Sequence, residues 1–308
     1  APQTTYDAVK VANFKAFCAD FFDEGAVPSD PTELARFGKD KLAAKRDELN
    51  VLVTSSRYPF VSRLSSVITL LDQVVGNPIE WYLNDFAMAD ELIDAKEDLV
   101  DPIKSFLNGQ QAKIFDEADA LLSANTGNLG YLPTGSADSV KALLADTNAF
   151  RGNKMNQLKA AADTLRGQIH DAVSDKRAEV TAAIEGRKAE VLASAYYSNA
   201  TSDAQESVVG RMDQILARLK GESQIALILQ LGSSFEQDGY PELLSRLVAS
   251  QPGEGNDAPP PRQMVSVKTI TVSGVFGVLE SEADVDNYLA ALRAALVETL
   301  NDGKRITL

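Results

Sequence analysis

The sequence predicts a mainly α fold: an elongated helical bundle with one very long helix, then a small C-terminal strand–helix–strand (α/β) unit. Three observations predict it. Apolar residues recur in steps of three and four along most of the chain before Gln251. From Arg151 to Tyr197 there is no proline, and Ala, Lys, Glu and Arg dominate. After Pro261 the texture changes to an alternating β-branched run, followed by one more helical stripe.

The elements follow in order. Phe14, Phe17, Cys18, Phe21 and Phe22 make one bulky helical stripe, which Gly25 and Pro28 end. Ser29-Asp30-Pro31 places a capping residue before a proline, so a helix starts there and carries Leu34, Phe37, Leu42 and Leu49. Pro59 breaks the pattern. Val61, Leu64, Val67, Ile68 and Leu71 form the next stripe, up to Gly76-Asn77-Pro78. Trp81, Tyr82, Phe86, Leu92 and Leu99 continue to Asp101-Pro102, a second cap-like start. The helix after it holds Ile103, Phe106, Ile114, Phe115 and Leu121, with a bend or early break at Asn108-Gly109. Gly127, Gly130, Pro133 and Gly135 mark a loop.

In the long segment Leu158, Ile169, Val180 and Val191 repeat every eleven residues, with Ala162, Val173, Ile184 and Ala195 beside them. Eleven residues are three helical turns, so both rows stay on one face. Such a rod cannot bury its own stripe and needs helices from this chain or another. Gly167 and Gly186 allow a kink. Ser202 and Asp203 can cap a further helix, and two more follow, with Ile225 to Leu231 and Leu243 to Val248. Prolines and glycines make 251–262 a linker. Val265 to Thr271 alternates as a strand, and Val275 to Leu279 extends it or returns as a second one. Ser281 and Asp284 sit at capping-box spacing, and Lys304 to Leu308 closes as a strand. The predicted organisation is a helical domain at 1–125 and a second at 126–250, with the long helix at about 151–198. The linker and an α/β unit at 263–308 complete it.

Composition excludes several chemistries. The 308 residues carry 30 basic and 44 acidic side chains, a net charge of −14. Cys18 and His170 are the only residues of their kinds, so neither a disulfide nor a Cys/His zinc site can form within the chain. Net acidity opposes broad wrapping of nucleic acid. No run approaches a membrane span; the longest, Ile225 to Leu231, is interrupted by Gln230. The chain opens Ala-Pro-Gln-Thr-Thr, without Met, and reads as a piece of a longer protein; a cut secretory signal would leave the same kind of end.

Individual motifs favour structure over chemistry. Gly38-Lys39 and Gly303-Lys304 lack the upstream Gly and the following Ser or Thr of a phosphate-binding loop. Asp23-Glu24 and Asp116-Glu117 lie in helical stripes and not at the end of an ATPase strand. Glu280, Glu282, Asp284 and Asp286 suit the first turn of a helix better than a calcium loop. His170 beside Asp171 reads as a surface histidine, and Cys18 as a buried, inert thiol. Arg36, Lys39, Lys41, Lys45 and Arg46 are interleaved with acids and read as a solvated face. Asn199-Ala-Thr201 matches a glycosylation acceptor by pattern alone.

Two segments carry a family resemblance. One runs from Leu92 to Leu122, centred on Asp101-Pro-Ile-Lys-Ser-Phe-Leu-Asn-Gly-Gln-Gln-Ala-Lys-Ile-Phe-Asp-Glu117. The other is Val278-Leu-Glu-Ser-Glu-Ala-Asp-Val-Asp-Asn-Tyr-Leu-Ala-Ala-Leu-Arg293, with the ending Gly303-Lys-Arg-Ile-Thr-Leu308. Both resemble the C-terminal region of the large P-loop protein of BREX phage-resistance systems, the BrxC/PglY type. The resemblance implies a cytoplasmic bacterial protein whose full-length relatives bind and hydrolyse ATP with Mg through an N-terminal P-loop domain. They act with a DNA methyltransferase and other components. The family's nucleotide-binding residues have no counterpart here. The piece is therefore expected to hold no catalytic residue, cofactor or metal, and to serve protein interaction and assembly.

The expected partners are other defence-system proteins, or a second copy through helices. Nucleic-acid contact is not indicated by charge, and no membrane contact is expected. The expected contact residues are Asn108, Gly109, Gln110 and Gln111, the stripe residues Val180, Ile184 and Val191, and Tyr288 and Leu292 of the tail helix. Each also has a plain structural reading, as turn or packing. A helical adaptor unrelated to BREX, in the cell envelope or the cytoplasm, and an enzyme with an unrecognised carboxylate site stay open as alternatives.

Overall fold

The computed structural model describes residues 6–251, 264–267, 270, 272 and 281–307. Of the described residues 79% are helical, with a long helix and a small C-terminal element in which two short parallel strands flank a helix. It divides into two compact units. Unit 1 is Ala1–Ala124 with Pro133–Gly167, and unit 2 is Asn125–Leu132 with Gln168–Leu308.

Unit 1 begins with α1 (Ala8–Phe22), whose Phe14, Phe17, Cys18 and Phe21 are buried as the stripe predicts. The helix stops earlier than Gly25, because Asp23 adopts the left-handed conformation at φ 54°. α2 (Pro31–Ser55) starts as expected: the Asp30 carboxylate accepts the Glu33 N–H at 3.0 Å, and Pro31 holds the first turn. Gly38 of α2 lies under α1, where a Cβ would come within 2.4 Å of the Phe14 ring. A 3₁₀ turn at Pro59–Arg63 leads into α3 (Leu64–Val75), followed by α4 (Ile79–Asn84) and α5 (Ala89–Ala95).

Two aromatic clusters fill this unit. Phe14 and Phe17 meet Phe86, with ring centroids 5.0 and 4.8 Å apart. Phe60 meets Phe106 at 4.6 Å and also touches Phe115 and Phe150. Rings distant in sequence thus join α1 to the turn after α4, and the 3₁₀ turn to the helices after α5. Each ring buries roughly 150–250 Å².

Asp101-Pro102 does not start a new helix. α5 runs through a π turn at Lys96–Val100 into α6 (Asp101–Asn108), and Asp101 makes no cap. The proline explains the π turn. Pro102 has no N–H to give the Asp98 carbonyl, and its ring would collide with that carbonyl in a regular helix. The wider turn moves it aside, and Arg151 Nη2 donates to the Asp98 oxygen at 2.6 Å instead. Lys96, nearly buried, donates to Asp101 at 2.7 Å and Asp23 at 3.2 Å. Gly109 breaks the chain between α6 and α7 (Gln110–Ala124), as its sequence suggests. α9 (Asp138–Leu144) completes the smaller helices of this unit, after α8 (Thr126–Leu129) of unit 2.

The long helix, α10, runs without interruption from Lys154 to Ala193, so Gly167 and Gly186 do not break it. At 1.5 Å per residue it is about 60 Å long. It is shorter than the expected 151–198, because Ser194 takes an extended conformation and caps α11 (Ala195–Ser198). Leu158, Ile169, Val180 and Val191 are all buried, and so are Ala162, Val173 and Ile184. Ala195, beyond the helix end, is exposed and drops out of the repeat. The part through Gly167 belongs to unit 1 and the rest to unit 2.

In unit 2, α12 (Ser202–Gly221) starts after Thr201 without a side-chain cap, so Ser202 and Asp203 lie inside the helix. The two helices expected next are joined. α13 (Ile225–Ser234) passes through a π turn at Phe235–Gly239 into α14 (Tyr240–Ala249). Pro241 follows this π turn as Pro102 follows the first. Gly232 of α13 admits α10 closely: a Cβ there would meet a Val180 methyl at 2.9 Å. Arg187 of α10 reaches Glu236 and Glu190, whose carboxylates raise its already high pKa, and it lies over the Tyr240 ring at 4.9 Å.

The tail contains β1 (Met264–Ser266), α15 (Glu282–Asn301) and β2 (Arg305–Thr307). β1 pairs in parallel with β2, Val265 opposite Ile306. The Ser281/Asp284 capping box forms as expected, and Gly303 turns the chain at φ +77°. The linker at 252–262, much of the expected first strand beyond Val267, and Val275–Leu279 lie outside the described residues.

Candidate functional site

The expected contact residues fall into three different settings. Asn108 and Gln110 are exposed, while Gly109 and Gln111 are half-buried, at the corner between α6 and α7. The corner needs glycine because a Cβ on residue 109 would come within 2.8 Å of the Ser105 carbonyl oxygen. The extended backbone there separates two helices and presents Asn108 and Gln110 to solvent.

Val180, Ile184 and Val191 stand differently. Their exposures are 8%, 1% and 1%, so the chain's own helices cover them. The reading of these three as contacts to another chain is therefore corrected: the chain itself buries the stripe, with Val180 against Gly232 of α13. Tyr288 and Leu292 are half-buried on α15, and their neighbours Val285 and Leu289 are exposed by 41% and 53%.

Two open clefts were not legible in the sequence. In unit 1 a cleft of about 590 Å³ is lined by Phe14, Phe17, Tyr82 and Phe86 beneath Asp20 and Asp90. In unit 2 a cleft of about 300 Å³ lies beside the second π turn, between Arg211 and Arg218 of α12 and Leu243 and Arg246 of α14. Their lining comes from separate helices, so no local motif announces them.

Electrostatics locates the perturbed carboxylates away from both clefts. Burial works to raise the pKa of Glu48, but hydrogen bonds from Lys104 and the charges of Lys45 and Lys104 hold it low. The Lys154 ammonium and the Asn148 N–H, at 2.7 Å, lower that of Asp146. The N–H groups of Gln224 and Ser223 lower that of Glu222. All three are stabilised as anions, the opposite of what a general acid near neutral pH requires. Burial pushes the Cys18 thiol up to about 12, which suppresses the reactive thiolate. His170 is exposed on α10. In the basic stretch Lys41 pairs with Glu24 at 2.6 Å, Lys45 with Glu48 at 3.3 Å and Arg46 with Asp47 at 2.8 Å, while Lys39 donates to the Asn77 carbonyl at 2.7 Å. Among the described residues no group of His, Cys, Asp or Glu is arranged to hold a metal ion. No described helix is long and apolar enough to cross a membrane.

A mainly helical body with a terminal strand–helix–strand unit is the domain class that the fold defines. The particular family follows from two matches. Residues 10–129 match the family model described as the BREX ATP-binding protein BrxC alpha helical domain. Residues 263–308 match the BrxC C-terminal alpha-beta domain. Together these segments span more than half of the chain and contain both segments of the resemblance. The chain belongs to the BrxC-type BREX proteins, as a region comprising these two domains. No curated protein and no solved structure matches it.

Proposed function

We propose that this region is a non-catalytic assembly module of a BREX defence protein, acting in the cytoplasm and holding other components of the system in place. The observation that carries the reading is the pair of family matches. They fall on a helical and an α/β domain of an ATP-binding protein, neither of them its P-loop domain. In this reading ATP and Mg are bound elsewhere in the full-length protein, and the region itself contributes no cofactor ligand. The exposed corner at Asn108 and Gln110 and the α15 surface around Tyr288 and Leu292 are its contact surfaces.

The test uses the full-length protein in cells carrying a complete BREX system. Asn108→Ala with Gln110→Ala should reduce co-purification of the other components and phage protection. Separately, Tyr288→Ala with Leu292→Ala should reduce association, with the other components or with a second copy, and phage protection. ATP hydrolysis by the purified protein should stay unchanged. Loss of hydrolysis with co-purification intact would instead place the region in the catalytic machinery.

A further inference from the structure

α15 presents a seam that nothing else among the described residues completes. Val285, Leu289, Leu292 and Leu296 alternate steps of four and three, the pattern of the a and d positions of a coiled coil. In a helix of about 3.6 residues per turn they share one face, with Leu300 at its edge. Val285, Leu289 and Leu300 are exposed by 41%, 53% and 47%, and Leu292 and Leu296 are only half-buried. Scattered single apolar residues on a surface need no explanation, but a contiguous helical strip does.

The charges beside the strip indicate its occupant. Asp286 follows Val285 and Arg293 follows Leu292, so both occupy the same flanking register position, two helical turns apart. Both are exposed, and neither has an ion-pair partner among the described residues. Two copies of α15 packed antiparallel about a two-fold axis near Ala290 and Ala291 set Leu289 against Leu292 of the second copy. The same register sets Val285 against Leu296 of the second copy and overlaps almost the whole helix. Flanking positions of one kind face each other in such a pair. Asp286 then meets Arg293 of the second copy, and the symmetry repeats the contact. A parallel pair at the same register would not bring them together. The pattern is self-complementary, as an isologous interface requires.

We propose that α15 is a homodimerisation helix, which pairs antiparallel with α15 of a second copy through the Val285–Leu289–Leu292–Leu296 seam and two reciprocal Asp286–Arg293 contacts. The inference deepens the assembly reading, and rests on it, by naming the partner of one surface. A single helix pair is a small interface, so the association is weak and concentration-dependent.

Sedimentation of the 308-residue chain tests it. The 33.1 kDa species should shift toward twice that mass as concentration rises through roughly 10–100 µM. Asp286→Arg alone and Arg293→Asp alone each juxtapose like charges and should weaken the dimer at least about tenfold. The double variant, D286R with R293D, should restore it, and an equimolar mixture of the two single variants should form the mixed dimer. Circular dichroism confirms that each variant is folded, since both side chains are exposed. A chain that stays monomeric throughout, a dimer indifferent to the single reversals, or a double variant that fails to recover overturns the proposal. A monomer that still co-purifies BREX components would leave the assembly reading standing and assign α15 to another protein; loss of both would sink both.

Discussion

Asn128 shows how much one side chain can determine without any sequence signature. It lies in the glycine-marked stretch read as loop, yet its exposure is 1%. Its amide donates to the Ser223 carbonyl at 3.0 Å and accepts from the Ile225 N–H at 2.9 Å, an orphan donor at the start of α13. Replacement by Ala would leave the buried Ile225 N–H unpaired and remove a donor from the Ser223 carbonyl. Asn128→Ala is expected to destabilise unit 2 by about 1–3 kcal/mol, measured by urea unfolding. Asn128→Asp keeps the acceptor and loses the donor, so it should fall between. Loop composition was readable here, but a partner almost a hundred residues away was not. Cys18 is the contrary case: a thiol within a phenylalanine stripe is core by local pattern, and it is fully buried.

Helix starts and stops were readable wherever local chemistry decides them. Asp30-Pro31 caps α2, Gly109 separates α6 from α7, and Ser281 with Asp284 boxes α15. The same reading failed at Asp101-Pro102 and before Tyr240-Pro241, where the helix continues through a π turn. Packing outweighs the proline penalty there, since the first turn is held by Arg151 and the Lys96 ion pairs. The arrangement can be tested as a cycle. Arg151→Ala should cost about 1 kcal/mol by removing the substitute donor to the Asp98 carbonyl. With Pro102→Ala present an ordinary backbone donor returns, so the cost of Arg151→Ala should shrink; equal costs in both backgrounds would disprove the coupling. The long helix belongs to the same scale. Its eleven-residue stripe correctly marked a buried face, whereas the packing of Gly232 against Val180 had no local signal.

For the whole molecule, acids outnumber bases by 14, and the excess is spread along the chain rather than gathered in a site. In the basic stretch Lys41, Lys45 and Arg46 pair with neighbouring acids, and the acid excess of the whole chain opposes the phosphate contacts from which counterion release would come. The chain is therefore expected to leave the anisotropy of a labelled DNA duplex unchanged at physiological salt; a salt-sensitive rise would reveal a basic surface that the ion pairs do not describe. Taken by itself, the sequence determined the helical class, the extent of the long helix to within a few residues and the capped starts of α2 and α15, and its motifs carried the resemblance to the family. The structural readings depend on local spacing and on short-range capping chemistry, and the family on the resemblance of two segments. Only the tertiary structure decided that Val180, Ile184 and Val191 are core while Val285 and Leu289 stay exposed. An amphipathic stripe specifies that a face needs cover, and which element covers it depends on contacts between residues far apart in the chain.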